Sequence, residues 1–166
     1  RPKSSAASDV YKRQAQHRTE PSEGTIVIGD NNIIREYSTV NLPTRFSKIT
    51  SIGSNCYFMA LSHIAHDCVV ADNVIFSNNA TLGGHVHIMQ NAQVGFSATI
   101  HQYQVIGSYC MIGMGAVIPR NKKILPGTKC VGNPAKMLGM NDVGLQRAGI
   151  SEEDLYNCYM FNVFYI

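Results

Sequence analysis

Thirteen positions spaced six residues apart, from Ile52 to Ile124, all carry large apolar side chains. They are Ile52, Phe58, Ile64, Val70, Phe76, Leu82, Ile88, Val94, Ile100, Ile106, Ile112, Ile118 and Ile124. In a chain that is 45% apolar, chance produces such a run on the order of once in ten thousand trials or more. Two places before each of the first twelve stands a mostly small residue, from Thr50, Cys56 and Ser62 through Ala98 to Cys110 and Ala116, with Gln104 as the exception. A period of six fits neither a 3.6-residue helix nor a simple hairpin. Hexapeptide periods build a parallel β-helix, so the expected class is all-β. Each hexad supplies a short strand and a turn, and three close a triangular coil of about eighteen residues. The large residue and the small one two before it both point inward, as strand alternation requires. Asn55, Asp67, Asn73, Asn79, Asn91 and Gly115 take the turns, where a left-handed backbone is cheap. Residues 52–126 make roughly four coils, stacked about 4.8 Å apart. Ile28, Ile34 and Val40 keep the same step, whereas "NLPTRFSKIT" breaks it and is read as an external loop near 41–49.

The remaining composition bounds the function classes. The formal charge of +3 is concentrated at the start: residues 1–18 hold five basic groups against Asp9, while the rest holds nine basic and ten acidic groups. That excludes a basic domain for nucleic acid. The head "RPKSSAASDVYKRQ" resembles adapter sequence and is set apart from the fold. No apolar run approaches the roughly 20 residues of a membrane helix, and the start lacks a secretory pattern, so the expected compartment is the cytosol. The chain ends inside the apolar run "YMFNVFYI", as a fragment would. Cys56, Cys68, Cys110, Cys130 and Cys158 show no C-x-x-C spacing and are read as reduced, mostly buried thiols. The expected division is 1–18 disordered or non-native, 24–133 β-helix, and 134–166 the start of a helical domain. In "SEEDLYNCYMF", Ser151 reads as an N-cap with acidic residues in the first turn.

The chemistry-bearing residues gather on one edge. In "SHIAHDC", the hexad register turns Ser62 and Ile64 inward, His63 outward, and sets His66 at a corner where Asp67 starts the turn. Residues eighteen apart stack, so His66 lies with Gly84 and Gln102, and Ala65 with Gly83 and His101; His85 follows Gly84. Gly84 leaves room for a ligand to approach the backbone. His66 suits a general base near neutral pH, and Asp67 could fix its tautomer and stabilise the imidazolium. No Cys or Ser sits in a nucleophile setting, so direct attack by a substrate hydroxyl is simpler than a covalent intermediate. His17 and His87 carry no assigned role.

The blocks "SHIAHDC", "NNATLGGHV", "IHQYQVIG" and "VGNPAKMLGMNDVGLQRAGIS" resemble the UDP-N-acetylglucosamine acyltransferases that start lipid A synthesis, over about residues 24–160. The resemblance implies a left-handed parallel β-helix with a helical C-terminal domain, in a homotrimer whose active sites lie between subunits. It implies transfer of a (3R)-3-hydroxyacyl group from acyl carrier protein to the sugar 3-hydroxyl of UDP-N-acetylglucosamine. The donor rides on phosphopantetheine of the carrier, with no other cofactor and no metal. By the same resemblance His66 is the general base with Asp67 as its acidic neighbour, and the Gly84 N–H is the oxyanion donor. His63, His85, His101 and Gln102 fall on the substrate side, and Asn141 and Arg147 near the nucleotide. The chain departs from the family at Asn41-Leu42-Pro43-Thr44, where a His-Arg-Gly-Thr type sequence is usual, and at Val143 and Ala148, where an acidic residue and a second arginine are expected. Met114 stands where the acyl pocket of relatives can carry glycine, which implies a shorter acyl chain. Arg120, Lys122, Lys123, Lys129 and Lys136 are a candidate docking face for the acidic carrier, or ordinary solvated lysines. Three alternatives stay open: another sugar-nucleotide acyltransferase on this scaffold, a zinc hydratase of the carbonic anhydrase type using His66, His85 and His101, and a non-catalytic trimeric scaffold.

Overall fold

The computed structural model describes residues 24–164. The basic head expected at 1–18 lies outside them. The chain winds as a triangular parallel β-helix with three sheets as its faces. The first sheet stacks β1 (Thr25–Ile28), β4 (Ile49–Ile52), β7 (Val69–Val70), β10 (His87–Ile88), β13 (Val105–Ile106) and β16 (Lys123–Ile124) in that order. The second stacks β2 (Ile33–Ile34), β5 (Tyr57–Phe58), β8 (Ile75–Phe76), β11 (Gln93–Val94), β14 (Met111–Ile112), β17 (Thr128–Val131) and β18 (Lys136–Met140). The third stacks β3 (Thr39–Val40), β6 (His63–Ile64), β9 (Thr81–Leu82), β12 (Thr99–Ile100) and β15 (Val117–Ile118).

The six-residue step is the reason for this shape. Every two-residue strand except β2 buries its second residue, and all thirteen positions from Ile52 to Ile124 are core. The residues two before the first twelve are buried as well, including Thr50, Ser62 and Gln104, whereas Lys122, two before Ile124, is exposed. Phe58 and Phe76 stack at 5.0 Å between ring centres. At the corners the backbone must turn through a left-handed conformation. Asn55, Asp67, Asn73, Asn79 and Asn91 adopt φ of 58–61°, where Asn and Asp cost least. The same corner position also carries His85, Tyr103 and Tyr109, at φ 59°, 61° and 59°, which the sequence did not mark as turn residues. The backbone there is dictated by the coils above and below, which donate and accept in register, as from His85 N to the His66 carbonyl at 3.0 Å.

Register exposes the loop. Ser51 pairs with Val69 and His87 with Val105, eighteen apart, but Thr39 pairs with His63 and Thr25 with Ile49, twenty-four apart. Six extra residues therefore sit between β3 and β4, where the expected loop near 41–49 falls. At the other end, the stretch from 134 spends Lys136–Met140 as a strand antiparallel to β17 before any helix begins. Helices α1 (Asp142–Ala148) and α2 (Glu152–Phe164) follow. Ser151 caps α2 as expected: its Oγ accepts from Asp154 N at 3.1 Å and donates to Asp154 Oδ2 at 2.6 Å. The four core cysteines are buried and form no disulfide, and Cys158 is half-buried. The basic residues do not form one face, since Lys123 belongs to the first sheet and Lys129 to the second.

Candidate active site

The corner between the third and first sheets carries the site. His66 sits on the turn after β6, and the left-handed backbone at Asp67 (φ 61°) folds the carboxylate back onto its neighbour. His66 Nδ1 lies 2.6 Å from Asp67 Oδ2. Adjacent side chains on a flat strand would diverge, so the turn makes the pair. The Asp67 side chain is fully buried and is held from the inserted loop. Thr44 N donates to Oδ1 at 2.8 Å, Thr44 Oγ1 to Oδ2 at 2.7 Å, and Ser47 Oγ forms a very short bond to Oδ1. The Asp67 N–H donates to Thr50 Oγ1 at 2.9 Å. Burial alone would raise the carboxyl pKa, but the bonds from Ser47, Thr44 and His66 outweigh it and hold the value down at about 2. Asp67 is therefore ionised at neutral pH and accepts from every donor around it. His66 Nδ1 must then carry the proton, which leaves Nε2 of the neutral ring as a free base.

His85, one coil up, brings its Nε2 to 3.3 Å from the same Asp67 oxygen. Its ring meets His66 edge-on at 5.2 Å and stacks on Tyr103 at 4.4 Å, nearly parallel. Burial lowers the His85 pKa; Asp67 opposes that and His66 reinforces it, with a net downward shift. His63 faces outward from β6 and its Nδ1 lies 2.7 Å from Thr39 Oγ1 on the strand below. Burial, then the nearby His66, pushes its pKa down, so it stays neutral at physiological pH. His87 is shifted the same way, by burial and then by His85.

Gly84 also makes room for the base. A Cβ there would lie 2.5 Å from His66 Nε2 and 3.0 Å from Nδ1, so the space freed by the glycine is filled by the His66 ring. The glycine is therefore needed to seat that ring. The buried Gly84 N–H has no hydrogen-bond partner among the described residues, while its carbonyl accepts from Tyr103 N at 3.0 Å. That leaves one buried donor beside Nε2, which a developing negative charge could use.

The other expected residues are dispersed. His101 and Gln102 stack above the corner but are exposed, and His101 Nδ1 donates to the Gln102 carbonyl at 3.2 Å. Donor atoms of His66, Asp67 and His85 lie within 4.8 Å of one another, but His101 stands outside this group and the carboxylate is already occupied by hydroxyls and imidazole. Within one chain, His66, His85 and His101 do not converge as the ligands of a zinc hydratase do. Met114 is 79% exposed on the corner between the second and third sheets. Asn141 precedes α1 and donates from Nδ2 to the Tyr109 carbonyl at 3.0 Å. Asn141 and Arg147 line a cavity of about 570 Å³ with Asn73, Asn91, Tyr109 and Lys129, at the corner between the first and second sheets. Within one chain, that cavity and the histidine cluster occupy different corners. Thr44, Ser47, Thr50 and Tyr103 were not singled out from sequence. Three hydroxyl residues at every third position of 44–50, beside the break in the repeat, are the signal that could have found the first three.

Residues 49–84 match the family described as bacterial transferase hexapeptide (six repeats). A curated acyl-[acyl-carrier-protein]–UDP-N-acetylglucosamine O-acyltransferase from Herminiimonas arsenicoxydans is 42% identical over 151 residues, covering 90% of this chain and 56% of its own length. The solved UDP-N-acetylglucosamine acyltransferase from Campylobacter jejuni superposes with a TM-score of 0.76 at 33% identity, over 91% of this chain and 57% of that one. The structure of LpxA from Acinetobacter baumannii gives 0.80 at 36% identity, over 89% and 57%. The chain belongs to the UDP-N-acetylglucosamine O-acyltransferase family. It spans about half the length of the curated relatives it matches. Membership carries the expected fold, a left-handed parallel β-helix of hexapeptide repeats, and favours neither the hydratase nor the non-catalytic alternative. No helix among the described residues is long and apolar enough to cross a membrane.

Proposed function

We propose that the protein carrying this chain transfers a (3R)-3-hydroxyacyl group from acyl carrier protein to the sugar 3-hydroxyl of UDP-N-acetylglucosamine, the first step of lipid A biosynthesis. The observation that supports it is the His66–Asp67 pair: Nδ1 is held at 2.6 Å by an ionised carboxylate, and the ring that carries Nε2 packs on Gly84, whose buried N–H has no partner among the described residues. The names borne by relatives at about 40% identity point the same way.

The reaction follows from that geometry. The acceptor hydroxyl gives its proton to His66 Nε2 as its oxygen attacks the thioester carbonyl carbon. The Gly84 N–H donates to the carbonyl oxygen as it becomes an oxyanion. Asp67 stays ionised and stabilises the imidazolium. The tetrahedral intermediate collapses, the C–S bond breaks, and His66 returns its proton to the departing phosphopantetheine sulfur. No metal and no cofactor beyond the carrier's own arm is required. His63, His85, His101 and Gln102 line the approach to this base, with Asn141 and Arg147 toward the nucleotide; the guanidinium of Arg147 suits phosphate. Because His66 and Arg147 lie on different corners of one chain, a site using both needs a neighbouring copy, which favours a homotrimer. Both substrates and the soluble carrier place the reaction in the cytoplasm.

The test is acyl transfer from a panel of 3-hydroxyacyl carrier proteins to UDP-N-acetylglucosamine, using the full protein and its His66→Ala variant. Transfer by the parent, with a loss of about 10²-fold or more in the variant, is expected. Full activity in the variant would remove His66 from the chemistry, and no transfer by the folded parent would overturn the reading.

A further inference from the structure

The six-residue insertion between β3 and β4 contributes no strand and no core layer, yet three of its polar atoms reach one carboxylate. Asp67 Oδ1 receives Thr44 N and Ser47 Oγ, and Oδ2 receives Thr44 Oγ1, His66 Nδ1 and, at 3.3 Å, His85 Nε2. A third hydroxyl, on Thr50 as the chain re-enters the coil, accepts from the Asp67 N–H at 2.9 Å. So the carboxylate is fixed in position by the loop and in backbone by the coil. Structure alone gives little reason for this concentration. A regular corner needs no such acid, since Asn serves at Asn55, Asn73, Asn79 and Asn91.

We propose that the inserted loop is a clamp whose residues Thr44 and Ser47 position Asp67 for His66, aiming the carboxylate at Nδ1 so that Nε2 is left to act as the base, and sharing the carboxylate's charge with the imidazole. The proposal rests on the function proposed above. Neither residue touches substrate by this account; both act through Asp67. The charge argument has a definite sign. Each hydroxyl that donates to Asp67 competes with His66 for the carboxylate's electron density. Removing one donor leaves a more basic carboxylate, which holds a positive charge on the imidazole more strongly. The other titratable groups facing the pair are His63 on β6, His85 and Tyr103 on the coils above, and Cys68, whose buried thiol is pushed up to about 12 and stays protonated. The loop's own Arg45 and Lys48 are exposed.

Ser47 is exposed and Thr44 buried, so Ser47→Ala disturbs packing least, and Thr44→Val keeps the shape of the side chain. The experiment measures the Asp67 carboxyl titration by carbon NMR, and kcat and KM from pH 5.5 to 8.5, in the full protein and both variants. Ser47→Thr serves as the conservative control. The expected result is an upward move of the Asp67 titration in both variants. At pH 8, kcat falls several-fold while KM for the acceptor stays within about twofold. The deficit is larger at pH 6 than at pH 8, because the carboxylate relieved of one donor holds the protonated ring more strongly. Ser47→Thr restores the parent profile. An unchanged Asp67 titration overturns the clamp, whatever the activity. A uniform loss of kcat with no change in the acid limb also overturns it, because that is what simple misfolding of the loop would give. Absence of transfer in the parent defeats the proposed function instead, and the clamp is then judged on the titration alone.

Discussion

Gly84→Ala separates catalysis from stability. Gly84 has an ordinary backbone, not a left-handed one, so alanine fits its conformation. The obstacle is the His66 ring, whose Nε2 and Nδ1 would stand 2.5 and 3.0 Å from the new methyl. Carbon needs about 3.5–4.0 Å, so the ring must move by about 1 Å or more. Nδ1 now sits 2.6 Å from Asp67; the same displacement takes it beyond about 3.5 Å, where no hydrogen bond remains. The base loses its orientation and its tautomer together, which removes most of a general-base contribution of about 10²–10⁴. Stability changes less. A charge-assisted bond worth about 1.5–3 kcal/mol is lost, offset in part by about 0.8 kcal/mol from the buried methyl. Gly83→Ala is the contrast, because its methyl would meet the Gln102 backbone N at 2.7 Å, which no rotamer change relieves. Urea unfolding and acyl transfer on the two variants test this. Gly84→Ala should lose at least 10²-fold in kcat with a modest shift in midpoint, and Gly83→Ala should lose mainly stability. A Gly84→Ala protein within tenfold of parental kcat, with the His66–Asp67 bond intact by NMR, would refute the steric argument.

The Asp67 carboxyl, held at about 2 against an ordinary 3.8, has a depressed folded value, so its stabilisation is full above about pH 4 and is lost as pH falls through about 2. The difference corresponds to about 2 kcal/mol, and Asp67→Asn should remove that acid-sensitive part of the urea midpoint between about pH 4 and 2; an unaltered acid slope in the variant would contradict it. Phe76→Ala removes a fully buried ring stacked at 5.0 Å on Phe58 and should cost about 3–5 kcal/mol by denaturant unfolding. Gln104→Ala should cost about 1–3 kcal/mol, since the buried amide accepts from Lys122 N at 2.8 Å and donates to the Gln102 carbonyl at 3.0 Å. Hydrogen exchange at Lys122 should rise in the same variant.

The coil was legible because each apolar residue repeats a statement made by its neighbours. Thirteen inward positions fix period, face and stacking, and the stack then predicts that His66, Gly84 and Gln102 share a column. Asp67 was legible as a turn residue for the same reason. The His66–Asp67 pair needed the turn geometry, which Asp at a left-handed corner supplies. The direction of the His101 side chain was not legible, because stacking fixes only the height of a residue along the axis; its ring turns to the Gln102 carbonyl. Thr44 and Ser47 were hidden because an insertion has no period; nothing in a loop's sequence says which coil it folds back upon. Lys136–Met140 was hidden too, since "KMLGM" offers neither β-branched residues nor alternation, and its pairing with Thr128–Val131 comes from the turn at 132–135.

A regular repeat makes every corner equivalent, and a catalytic centre must break that equivalence somewhere. Here the break lies directly before the site. In an unbroken coil, the residue stacked beneath Asp67 would belong to an ordinary turn, with its backbone engaged by the coils on either side. The six additional residues displace that turn outward and leave the underside of the corner to be filled by hydroxyls. The filling is polar because the group above it is an acid, and a buried carboxylate without donors would be driven toward its neutral form. A neutral Asp67 could not orient the imidazole or stabilise its protonated form. The insertion and the aspartate therefore depend on one another. Asp67 at a corner without the loop would be a buried charge short of donors, and the loop without the Asp67 carboxylate would leave two hydroxyls, on Thr44 and Ser47, with no common partner.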